Sequence, residues 1–67
     1  MSAGLDVLRR LIPAAFAALV PGGFVVLEIG YAQQAAVDSL LVGAGFSEIE
    51  FTEDLQKIPR VAFARHP

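Results

Sequence analysis

The chain has 67 residues, 55% of them hydrophobic, with five Lys and Arg against seven Asp and Glu, a formal charge of −2 and no cysteine. One domain at most fits this length, disulfides and thiolate metal sites are excluded, and a pI near 5.0 leaves no basic footprint for nucleic acid. A mean hydropathy of +0.60 is high for so small a protein and implies apolar surface that is covered by something else.

The first element is predicted as a helix over residues 4–20, in which Leu8, Leu11, Ile12, Ala15 and Leu19 recur at three- and four-residue steps as one apolar stripe. Pro13 removes an amide donor and crowds the carbonyl of Arg9, so a kink or a break is expected there. The uncharged run Leu11 to Leu27 approaches the ~17–25 residues of a membrane span. Pro13, Pro21, Gly22 and Gly23 divide it, however. A signal peptide is opposed by Asp6 ahead of Arg9 and Arg10 and by the lack of a small-residue cleavage site. No membrane role and a cytoplasmic location are therefore expected.

Pro21-Gly22-Gly23 turns the chain into a strand over 24–29. Phe24, Val26 and Glu28 share one side and Val25, Leu27 and Ile29 the other. Both sides are apolar apart from Glu28, as in a strand covered on two faces. A second helix is predicted over 32–44, burying Ala36, Val37, Leu40, Leu41 and Ala44, with Gly45 as a left-handed cap and Phe46 folding back on Leu41. Over 47–53, Ile49 and Phe51 alternate with Glu48, Glu50 and Thr52, the pattern of a half-exposed edge strand with carboxylates guarding it. A polar connection leads to a last strand over 60–65, apolar on both faces through Val61, Ala62, Phe63 and Ala64, with His66-Pro67 as a loose tail. The order is helix, strand, helix, strand, strand. The first two strands run parallel, and the last is antiparallel and interior, between them.

Gly4-Leu5-Asp6, Arg9-Arg10-Leu11-Ile12, Pro21-Gly22-Gly23, Leu27-Glu28-Ile29-Gly30, Ala44-Gly45-Phe46, and Asp54-Leu55 ahead of Arg60-Val61 resemble the C-terminal end of the HemK/PrmC family. Its members are S-adenosylmethionine-dependent methyltransferases that modify a glutamine side chain of peptide chain release factors. The resemblance implies an α/β fold, a partial class I methyltransferase (Rossmann-like) sheet, with residues 1–67 as a single partial domain. It also implies S-adenosylmethionine and a release factor as ligand and partner of the full-length family. The family's glycine-rich cofactor turn, its ribose-binding acid and its Asn-Pro-Pro-Tyr motif are not present in this sequence. Gly43-Ala44-Gly45, the only glycine pair of suitable spacing, ends a helix instead of opening one.

No catalytic, cofactor-binding or metal-binding residue is assigned on this basis. Glu28, at the carboxyl end of a parallel strand, and Tyr31 just beyond it are candidates for substrate contact, each weighed against a bland role as a solvated acid and a packed aromatic. Glu48, Glu50, Glu53 and Asp54 lack a histidine at ligand spacing, and His66 stands alone. The expected function is that of a sheet-completing scaffold inactive by itself. The alternative is a free-standing α/β self-association module without enzyme activity. Both predict a homo-oligomer, through the exposed strand edge or apolar helix faces.

Overall fold

The computed structural model describes residues 2–67, with side chains from Leu5 onward. Five elements follow one another: α1 (Ser2–Ala18), β1 (Phe24–Glu28), α2 (Gln34–Ala44), β2 (Ser47–Glu53) and β3 (Pro59–Arg65). None of the helices among the described residues is long and apolar enough to cross a membrane.

α1 buries Leu8 and Ile12, with Leu5, Ala15, Phe16 and Leu19 packed beside them. Leu11, expected in this stripe, is 45% exposed. At roughly 100° per residue it falls about 60° behind Leu8 on the helical wheel, whereas the packed residues lie from about 20° behind to 80° ahead. The helix runs unbroken through Pro13. Pro13 sits on the exposed side, so the Arg9 carbonyl that loses its donor is on the solvent side of the helix.

The sheet order is β1-β3-β2. Both pairings are antiparallel, so β1 and β2 run in the same direction with β3 inserted between them. Ala62 and Ala64 of β3 pack under Leu8, Ile12, Val37 and Leu41, joined by Val25 and Leu27 of β1 and Ile49 and Phe51 of β2. Both helices thus stand on one face. The two-sided cover expected for β1 is not met: Phe24 and Val26 point to the other face and are 55% and 56% exposed. The apolar character of that side reflects cover that two helices on one face cannot supply.

Turn chemistry sets the element ends. α2 begins at Gln34, two residues later than its pattern predicts, because the Gly30–Gln33 turn occupies the preceding backbone. It ends at Gly45, φ 108°, with N–H groups of Gly45 and Phe46 returned to the carbonyls of Val42 and Leu41. β2 carries a bulge between Ser47 and Glu50, where Glu48 adopts φ 50°. The tail expected to be loose is held instead. The His66 N–H donates to the Gly23 carbonyl at 2.7 Å, and the His66 carbonyl accepts from the Gly22 N–H at 2.8 Å. Its ring stacks on Phe16 at 4.0 Å.

Candidate functional site

The concave surface of the chain lies where β1 hands over to α2 and where the β2–β3 hairpin closes. One wall is the turn from Gly30 to Gln33. The Gln33 side chain accepts from the Gly30 N–H at 2.7 Å, and the Gln33 N–H donates to the Gly30 carbonyl at 3.2 Å. Ala32 takes φ 63° within it. This geometry projects Tyr31 outward, 74% exposed.

The opposite wall is built by Asp54. Its Oδ1 accepts from the N–H groups of Gln56 at 2.8 Å and Ile58 at 3.1 Å, and its Oδ2 accepts from Arg60 Nε at 3.0 Å. The main chain closes around it, with the Asp54 N–H donating to the Ile58 carbonyl and the Lys57 N–H to the Asp54 carbonyl. The Ile58 amide, followed by the Arg60 side chain, holds the Asp54 carboxyl below the ordinary aspartate range. Asp54 is therefore a loop organiser whose acceptor capacity is committed inside the hairpin.

Between the walls runs an open groove lined by Tyr31, Ala32, Ala35, Lys57, Ile58 and Pro59. It continues past Phe51, Thr52 and Leu55 at the hairpin tip. Of the two substrate candidates the groove takes in Tyr31 only. Glu28 is exposed and shares the helix-free face of the sheet with Phe24 and Val26. No nucleophile and base are paired in the groove, and no cluster of metal-ligating side chains occurs among the described residues. Gln33 and Asp54 carry no signal of chemistry in the sequence. Their spacings, Gly30 to Gln33 and Asp54 to Ile58 and Arg60, are the only clue to the loops they hold.

Neither Gly30 nor Gly45 fits S-adenosylmethionine. A cofactor cradle needs free backbone N–H groups between a strand and the start of a helix. Gly30 is so placed, but its N–H is taken by Gln33, whose side-chain oxygen lies 3.1 Å from where a Cβ would stand. Gly45 follows a helix, and the room beside its Cα is filled by Phe16, 2.9 Å from the Cβ position.

Comparison with known proteins finds relatives much longer than this chain. The chain is 44% identical over 64 residues to the release factor glutamine methyltransferase of Burkholderia pseudomallei (strain K96243), which covers 96% of the chain and 22% of that protein. It is 47% identical over 64 residues to the protein of the same name from Xylella fastidiosa (strain Temecula1 / ATCC 700964), covering 96% of the chain and 23% of that protein. The corresponding protein of Neisseria gonorrhoeae (strain ATCC 700825 / FA 1090) is 40% identical over 65 residues, 97% of the chain and 24% of its own length. No family model matches the chain, and no solved structure matches it. The chain spans under a quarter of the length of these relatives. By sequence it corresponds to a segment of the release factor glutamine methyltransferase family, consistent with the C-terminal end.

Proposed function

We propose that the chain is the sheet-completing C-terminal segment of a cytoplasmic, S-adenosylmethionine-dependent methyltransferase that modifies a glutamine of peptide chain release factors, and that it transfers no methyl group alone. The observation that carries this reading is the match of 96% of the chain to under a quarter of proteins bearing that name. The fold supports it. Two codirectional strands flank an inserted antiparallel one, the arrangement this reading expects at the closing part of a class I methyltransferase (Rossmann-like) sheet. On this reading, the neighbour that β1 lacks is the upstream strand ending in Asn-Pro-Pro-Tyr.

In such an enzyme Tyr31 and Glu28 lie at the carboxyl end of β1, the side on which open α/β sheets take their ligands. The segment contributes shape and rigidity there, and the reacting groups come from upstream. Calorimetric titration of the chain with S-adenosylmethionine tests the reading: no heat of binding is expected, and micromolar affinity overturns the claim that the cofactor site lies upstream. The coding sequence ahead of the Met1 codon tests the ancestry separately. An in-frame stretch encoding Asn-Pro-Pro-Tyr is expected, and an in-frame stop codon overturns it.

A further inference from the structure

The groove between the Gly30–Gln33 turn and the β2–β3 hairpin is a channel in two stretches. The first, of about 480 Å³, lies between Tyr31 and Ile58, and the second, of about 530 Å³, runs on past Phe51 to Leu55. Gln34, Lys57 and Pro59 line both, so the stretches are continuous and Lys57 stands at their junction. The channel sits at the end of the sheet where β1 and β2 leave and β3 enters, the side on which open α/β sheets take their ligands. Both walls are closed by bonds within this chain, Gly30 to Gln33 on one side and Asp54 to Ile58 on the other. No residue of β1 lines it, so its form does not depend on what lies beside the free edge of that strand.

The charges along the channel are uneven. Arg9, Arg60 and Arg65 are each held by a carboxylate, those of Asp6, Asp54 and Glu48. Lys57 takes part in none of these ion pairs, and it is the one charged residue lining the first stretch. α2 opens on that stretch with no acid in its first turn and no side-chain cap, so its positive end adds to the lysine. In a chain of net charge −2 this stretch is locally cationic. Two exposed side chains flank the channel, Tyr31 at the first stretch and Leu55 at the second. A compact ligand needs a pocket that covers most of its surface, whereas an open channel in two stretches suits an extended chain. The geometry points to an acidic, extended peptide segment of the methylated protein as the occupant, with a carboxylate on Lys57 and apolar side chains against Tyr31 and Leu55. The identity of that protein rests on the methyltransferase reading; the shape and charge of the channel do not.

Overlapping synthetic peptides spanning a peptide chain release factor, titrated into the isotope-labelled 67-residue chain, test this. A peptide with an acid close to an apolar residue is expected to shift the amide signals of Tyr31, Gln34, Leu55 and Lys57 together. It should lose affinity when its acid is replaced by the corresponding amide. Lys57→Glu should weaken the peptide roughly tenfold, with the difference shrinking at high salt. Lys57→Gly separates contact from fold. Glycine suits the φ of 66° at this position, so the thermal midpoint should hold or rise while binding falls. Leu55→Ser changes a side chain that is fully exposed, so it should weaken the same peptide and leave the midpoint unchanged. The inference is overturned if no peptide moves these signals, if the shifts map elsewhere, or if Lys57→Glu binds as well as the wild type. Shifts of the same signals with chain concentration alone would give the channel to a second copy and overturn it too. The functional reading fails by other results. Unmoved signals with Asn-Pro-Pro-Tyr encoded upstream strike the inference alone, and an occupied channel behind an in-frame stop codon strikes the reading alone.

Discussion

Gly45 is held by two independent constraints. Its φ of 108° suits a residue without Cβ, and a Cβ there would meet the Phe16 ring at 2.9 Å. Phe16 has no easy way to move, because His66 stacks on one side of it and Phe46 meets it edge-on at 5.1 Å. Gly45→Ala should therefore cost about 1–3 kcal/mol in urea unfolding, with the aromatic resonances of Phe16 and His66 shifting together in NMR spectra. Asp54 acts through hydrogen bonds from Ile58, Arg60 and Gln56, which lower its pKa on folding. A carboxyl with a lowered folded pKa contributes stability above its ordinary value, and that contribution is lost as pH falls through the folded pKa. Wild-type stability should therefore fall more steeply than that of Asp54→Asn as pH drops through and below 3.8, the ordinary value. Equal slopes in acid-titrated unfolding would show that the hairpin does not depend on the ionised carboxylate.

At the level of elements, α1 contains its own weak point. Pro13 is exposed and deprives Arg9 of a helical partner. Pro13→Ala should stabilise the chain, by up to about 3 kcal/mol on intrinsic helix preference, measured as a rise in the thermal midpoint. Periodicity in the sequence located all five elements and the interior place of β3, because Val61-Ala62-Phe63-Ala64 is apolar on both sides and Glu48-Ile49-Glu50 is not. Details that depend on a distant partner were not legible. Nothing in the order of residues says that His66 will stack on Phe16, fifty positions earlier, or that Gln33 will bond back to Gly30 and delay α2. The bulge at Glu48 hides inside a clean alternation, since side-chain pattern does not encode φ. The same limit governed the site. Alternation placed Glu28 beside Phe24 and Val26, but the face left open depended on where both helices settled, and so Tyr31 reaches the groove without it.

As a whole the molecule is a slab, 34 × 23 × 14 Å along its principal axes, one helical layer on one sheet. Its accessible surface is 4391 Å², against about 4,100 Å² for a monomer of this mass. A single thin core has little reserve. Leu41 is fully buried at its centre, and Leu41→Ala, at about 2–5 kcal/mol, should leave the chain largely unfolded at room temperature by circular dichroism. The unlike edges also decide how far strand pairing can proceed. A ribbon grows only while its newest edge accepts another strand, and the Glu48 bulge with its neighbouring carboxylates closes the β2 margin of this sheet. Growth then terminates at β2. A variant with Glu48→Val and Glu50→Val in β2 would remove that terminator, and it should pass from a discrete particle to thioflavin-positive filaments, seen as a steady rise in scattered light with concentration.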